Sequence, residues 1–198
     1  MTKWLIASNN SFKTADLQAC LALAGIEAVG YTTQYPAVTF PAEGTASYAV
    51  NAQVKAEFLA NLLHQPVIAD DSGLELAALQ NELGVTTQRD LASSSLSTNA
   101  AVLARLDDLP TDQRGAQMVT WLAAARPNHA TIISSGTVTG QIVMTPRGQQ
   151  SGGFDKIFQP TGQAGTLAEM PASKRLPLTH RGQAALVLQQ KLLMENDR

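Results

Sequence analysis

Two short apolar runs set the terms for this chain. Residues 4–7 (Trp-Leu-Ile-Ala) break off into Ser8, Asn9, Asn10 and Ser11, and residues 66–69 (Pro-Val-Ile-Ala) break off into Asp70, Asp71 and Ser72. An apolar run without alternation reads as a strand buried on both faces. Such strands need helices to cover them. Residues 15–24 read as one, stopped by Gly25, and residues 45–64 as another, offering Tyr48, Val54, Phe58 and Leu62 to a core. Residues 26–31 read as a second strand, followed by a loop rich in Pro and Thr. Residues 81–97 are polar, weakly patterned and read as loop. Ser97 or Thr98 can then cap a helix running to about residue 108. Residues 118–125 and 130–144, rich in Val, Ile and Thr, read as strands, the second bending at Gly136 or Gly140. A Gly- and Gln-rich loop over 148–165 surrounds one hydrophobic knot at 154–158, and an amphipathic helix over 179–194 closes the chain. This alternation predicts an α/β fold with a mixed sheet. In such folds ligands gather where parallel strands end, and both polar clusters are expected just past strand ends.

Composition narrows the function classes. The chain has 198 residues, long enough for one domain over 1–198, and a formal charge of −2. That charge argues against a general electrostatic grip on nucleic acid or an anionic membrane, so an anionic substrate would need locally concentrated basic groups. Cys20 is the single cysteine, which excludes a disulfide framework and a Cys-based zinc site. Residues 1–7 lack the length and charge pattern of a signal peptide, and no apolar run reaches a membrane span, so a cytoplasmic protein is expected.

Three clusters could carry chemistry. Ser8, Asn10 and Lys13 lie between a buried strand and a helix start, where free backbone N–H groups favour anions. A Lys there opposes the helix dipole unless an anion bridges the two; the plainer alternative is an Asn or Ser cap beside a solvated Lys. Asp70 and Asp71 are adjacent carboxylates that an extended segment points to opposite faces. One aimed into a cleft could hold Mg²⁺, which takes one or two carboxylates and completes its shell with water and substrate phosphates. The alternative is a turn, which Asp, Ser and Gly all favour. His180 and Arg181 open the last helix just after Lys174 and Arg175. They suit a phosphate or a purine edge, or else form a solvated basic face.

Taken in order, these segments resemble the inosine/xanthosine triphosphate pyrophosphatase family. The matching pieces are residues 8–13, 69–74, 154–160, 168–171 and 179–182, with residues 51–56 resembling the family's second helix. The resemblance implies a two-lobed α/β domain around a long mixed, twisted sheet, with a nucleotide cleft between the lobes, usually in homodimers. It implies Mg²⁺-dependent release of pyrophosphate from ITP, dITP and XTP. Ser8, Asn10 and Lys13 would bind the triphosphate. Asp71 would be general base and metal ligand, with Glu43 as the second carboxylate at the metal. Ser72 would contact substrate, while Asp155, His180 and Arg181 would line the base pocket.

Departures concentrate on the base side. The family's stacking aromatic is Gly152 here, with Phe154 two residues on as a possible substitute cover. Arg175 replaces a Lys and Thr179 a Ser, Leu176 stands where a small or polar residue is usual, and residues 83–87 lack the family's Pro-Gly and Tyr-Ser. Two alternatives therefore stand beside the leading expectation: a nucleotide pyrophosphatase of altered base preference, and a nucleotide-binding protein without turnover.

Overall fold

A computed structural model describes residues 3–80 and 82–196, so the readings that begin at residues 1 and 81 are followed from residues 3 and 82. Its six-stranded sheet has the order β2-β1-β3-β4-β5-β6. It is mixed, with β1 (Trp4–Ile6) parallel to β2 (Ala28–Gly30) and β3 (Val67–Leu76), and β5 (Ile132–Ile142) antiparallel to β6 (Phe158–Pro160). The α/β class and mixed sheet expected from the sequence are therefore present. The chain forms two compact units, and β3, β4 (Gly115–Ala125) and β5 each run from one into the other.

The first unit holds residues up to 71, residues 120–136 and residues from 180 onward. Parallel pairing of β2, β1 and β3 demands crossovers, supplied by α1 (Ser11–Leu23) and α2 (Tyr48–Leu63). Gly25 ends the first helical segment at φ 73°, in the left-handed region that glycine enters without a side-chain clash. Leu5, Tyr31, Leu59, Val67 and Ala69 form one core with the small residues Ala52, Ala56 and Ala60. Burying Leu59 completely contributes about 2 kcal/mol.

The inward face of α2 matches the expected one only in part: Tyr48 is buried and Phe58 packs partly buried against this core. Val54 and Leu62 are 42% and 51% exposed, while Asn51, Ala52, Lys55, Ala56 and Leu59 point inward. Alanines let the helix sit close to the sheet, and the spacing of Asn51, Lys55 and Leu59 carries two polar groups inward with one apolar anchor.

The course of β3 differs too. It does not stop at residue 69 but continues through Asp70, Asp71, Ser72 and Gly73 to Leu76. The acidic pair thus sits in a strand interior, neither past a strand end nor in a turn. Buried carboxylates are tolerated there because cationic and amide partners reach them from the helices.

The second unit comprises residues 72–119 and 137–179. Its core gathers Leu74, Leu76, Leu91, Val102, Met118, Ile142, Ile157, Phe158 and Leu167. Residues 82–97 are not simply loop: a 3₁₀ turn leads into α3 (Thr87–Ala92), whose Thr87 hydroxyl accepts from the Leu74 amide at 3.0 Å. So short a helix, anchored by Leu91, carries too little periodicity to stand out. Ser97 caps α4 (Thr98–Arg105) by accepting from the Ala100 amide, as expected, but the helix closes at Leu106, short of residue 108. The buried guanidinium of Arg114 meets it there, donating to the carbonyls of Leu106 and Ile142 at 2.7 and 3.0 Å.

The two glycines of β5 mark close approaches. A Cβ at Gly140 would lie 2.2 Å from the Gln159 carbonyl oxygen. One at Gly136 would lie 2.2 Å from the His180 carbonyl oxygen and 2.6 Å from the Ala184 nitrogen, so Gly136 lets α6 (His180–Asn196) begin against the strand.

Candidate active site

The first turn of α1 is built by its cap. Asn10 Oδ1 accepts from the Lys13 amide at 3.1 Å, and the Asn10 amide donates to Ser8 Oγ at 3.1 Å. The plain capping reading is thus correct for Asn10, and it fixes the direction in which Lys13 leaves the helix. Lys13 Nζ lies 3.3 Å from Asp70 Oδ1, with a quarter of its side chain (26%) exposed. Burial lowers the Lys13 ammonium below its ordinary value, with Asp70 opposing and the neighbouring Lys55 and Arg181 adding to the shift.

Asp70 and Asp71 serve different partners, as adjacent residues of a strand should. Asp70 is buried between cations: Lys13 on Oδ1, and Arg181 Nε on Oδ2 at 3.1 Å. Asp71 accepts from Asn51 Nδ2 at 2.9 Å, and its carbonyl accepts from Thr120 Oγ1 at 3.2 Å. Burial pushes the Asp71 carboxyl above its ordinary value, the Asn51 hydrogen bond pulls it back, and Glu43 pushes it further up. A carboxylate raised in this way is a stronger base than one in water, the property a general base needs near neutral pH.

Two residues of this site were missed in the sequence. Asn51 clamps the segment that carries Glu43, accepting from the Gly44 amide at 2.8 Å and donating to the Gly44 carbonyl at 3.1 Å. Lys55 Nζ donates to Glu43 Oε1 at 2.5 Å and to the Asp70 carbonyl at 3.0 Å. Burial acts to lower the Lys55 ammonium, but Asp70, Glu43 and Asp71 outweigh it and raise it overall. The available signal was two polar residues four apart on an Ala-rich helix, a face that periodicity in large apolar residues hides.

His180 and Arg181 occupy the first turn of α6 in this same unit. Burial drives the His180 imidazole well below its ordinary value, with the Arg181 cation adding to the shift, so the ring is neutral. Its Nδ1 is buried and has no hydrogen-bond partner among the described residues. Asp70 and Asp16 hold the Arg181 cation and, against burial, raise its pKa.

The remaining expected residues belong to the second unit. Asp155 Oδ2 accepts from Ser151 Oγ at 2.7 Å and from Arg175 Nη1 at 3.1 Å. Arg175 is buried on α5 (Ala172–Arg175), and Phe154 packs partly buried against the core. Ser72 is half-buried on β3. Gly153 sits at φ 59° and its carbonyl accepts from Asn99 Nδ2 at 2.9 Å. A Cβ at Gly152 or Gly153 would meet no atom within 4 Å, so both positions face open space.

The two carboxylates suit a hard divalent cation. Glu43 and Asp71 repel each other, which a cation between them would relieve. Among the described residues no group of three or more His, Cys, Asp or Glu could hold a metal. A two-carboxylate set is what Mg²⁺ uses when substrate phosphates and waters complete its shell.

Comparison with known proteins shows the family of the chain. The profile of the Ham1 family matches residues 4–191. A dITP/XTP pyrophosphatase from Halalkalibacterium halodurans is 33% identical over 183 residues, covering 91% of this chain and 94% of that protein. A dihydroneopterin triphosphate diphosphatase from Limosilactobacillus reuteri is 36% identical over 184 residues, covering 91% and 93%. The solved structure of the Staphylococcus aureus Ham1 protein superposes with a TM-score of 0.80 at 30% identity, over 98% of this chain and all of that one.

Proposed function

We propose, on the premise that this chain belongs to the Ham1 family, that it hydrolyses the deaminated purine nucleoside triphosphates dITP, ITP and XTP to the monophosphate and pyrophosphate. One observation carries the reading: the buried Asp71 carboxylate, held by Asn51 at 2.9 Å, follows directly on Asp70, which meets the ammonium groups of Lys13 and Lys55 at 3.3 and 3.0 Å. A protein that only bound nucleotides would need the cations but not the desolvated base.

In this reading Lys13, Ser8 and the capped start of α1 hold the triphosphate chain. An Asp71 carboxylate oxygen orients a water and takes its proton as the water attacks the α-phosphorus. Asn51 keeps that oxygen aimed, and Lys55 steadies Glu43. Asp71 and Glu43 would hold Mg²⁺, whose part when bound is to neutralise charge on the phosphates. Ser72 contacts substrate. His180 and Arg181 read the base, donating to a 6-keto oxygen and leaving adenine's amine facing donors.

A second reading concerns the ring. The open position at Gly152 removes the stack expected of a purine pocket, and the similar protein from L. reuteri is named for a pterin triphosphate. A pterin also presents a ring keto group beside an N–H. Measuring kcat/KM for dITP, XTP, ATP and dihydroneopterin triphosphate, with and without Mg²⁺, separates the cases. Preference for dITP and XTP supports the first reading, and preference for the pterin supports the second. Binding without turnover of any of them would defeat both. The reading also places the protein in the cytoplasm as a homodimer, supported by the apolar stripe of Val50, Val54 and Leu62 left exposed on α2; sedimentation equilibrium tests the dimer.

A further inference from the structure

Lys13 and Asp16 stand three residues apart on α1, on one face of the helix. Four charges form a ring that begins and ends on that helix. Lys13 Nζ meets Asp70 Oδ1 of β3 at 3.3 Å, and Asp70 Oδ2 meets Arg181 Nε of α6 at 3.1 Å. Arg181 Nη1 returns to Asp16 Oδ2 at 3.2 Å. The guanidinium is thus held at two different edges by carboxylates from two different elements. Its rigid fork turns those two bonds into a fixed orientation.

We propose that Asp16 is a positioning residue: it fixes Arg181 against α1 so that Asp70 can hold Arg181 and Lys13 together. Asp70 Oδ2 then meets Arg181 while Oδ1 meets the ammonium of Lys13, the group that grips the phosphate chain. Without the Asp16 carboxylate, Arg181 Nη1 turns toward the other carboxylate that holds this guanidinium, Asp70. Arg181 then competes with Lys13 for a single carboxylate. Both cations lose their set positions, although neither has been altered. The side chain of Asp16 is 29% exposed and that of Arg181 16%, so the bond is partly screened and lies at the lower end of charge-assisted hydrogen bonds.

The kinetic part of this inference rests on the proposed reaction, so the test has a second readout that does not. Asp16→Ala, Asp16→Asn and Asp16→Glu are compared with wild type for kcat and KM on the preferred triphosphate, and by ¹H–¹⁵N spectra of arginine Nε–H groups. The Arg181 signal is assigned by its loss in Arg181→Lys. Asp16→Ala and Asp16→Asn should raise KM about 10-fold with kcat changed much less, the mark of lost ground-state positioning. Both should broaden the Arg181 Nε–H signal, and Asp16→Glu, which keeps the carboxylate, should restore signal and KM. The inference is overturned if the signal and KM are unchanged in Asp16→Ala. It also falls if Asp16→Glu behaves like Asp16→Ala, or if kcat falls in step with a loss of thermal stability. Absence of turnover in wild type would defeat the substrate reading, while the Nε–H comparison would still decide the role of Asp16.

Discussion

Replacing Asn51 by Ala removes the amide that holds Asp71 and Gly44 together. Three hydrogen bonds go: one to the Asp71 carboxylate at 2.9 Å, and two with the Gly44 backbone at 2.8 and 3.1 Å. A hydrogen bond to a charged group contributes about 1.5–3 kcal/mol, while the Gly44 groups lie on an exposed segment and exchange their bonds for water at little cost. The expected loss is about 2 kcal/mol, or about 4–8 °C in Tm for a chain of this size. Activity should carry a more specific signature. Burial already raises the Asp71 pKa, and the Asn51 hydrogen bond is the largest influence opposing it. Removing that bond must move the pKa further up, so more of Asp71 is protonated at a given pH. The acid limb of kcat/KM, which reports the base in the free enzyme, should therefore shift to higher pH. A pH series of initial rates from 5 to 9, with differential scanning fluorimetry on the same samples, measures both effects. An acid limb that stays in place or moves to lower pH would refute Asp71 as the base that Asn51 tunes.

The other expectations are shorter. Asp71→Asn should lower turnover by about 10²-fold or more. Because its folded pKa is raised, ionised Asp71 costs stability that grows as pH rises from its unfolded to its folded value. Tm of Asp71→Asn at pH 8 should therefore equal or exceed that of wild type. Asp70→Asn should instead cost about 2–3 kcal/mol by chemical denaturation, since it leaves Lys13 and Arg181 without a shared carboxylate, with smaller loss of turnover. His180 stays neutral in the fold, so below about pH 6.5 the unfolded chain takes up a proton that the folded one refuses. Stability is then lost toward acid by up to about 1.4 kcal/mol per pH unit, a slope that His180→Gln should reduce in thermal melts between pH 5 and 7. Gly152→Phe should lower KM for dITP, within the roughly 5- to 150-fold that one stacked ring of about 1–3 kcal/mol allows, because a Cβ there meets no atom within 4 Å. A raised KM would mean that Phe154 already covers the base.

What the sequence disclosed and what it hid divide along local and tertiary lines. The strand at residues 4–6, the stop at Gly25, the Ser97 cap and the closing helix were legible because each is written in neighbouring residues. The acidic pair was found, but its setting was misread. Asp70 and Asp71 look like a turn until Lys13, Arg181 and Asn51, distant in sequence, are seen to satisfy them inside β3. The polar part of the inward face of α2 was missed for the same reason: Asn51 and Lys55 are buried for what they hold, not for apolar area. Arg175 joins Asp155 through a contact 20 positions apart that spacing alone could not foresee.

The most direct test of the central claim is the fate of the phosphates. The protein, dITP or XTP and Mg²⁺ are incubated in H₂¹⁸O, and the products are followed by ³¹P NMR and mass spectrometry. Asp71-directed attack on the α-phosphorus predicts equal amounts of nucleoside monophosphate and pyrophosphate, with the ¹⁸O in the monophosphate and none in pyrophosphate. Orthophosphate with nucleoside diphosphate, or label in the pyrophosphate, would contradict it.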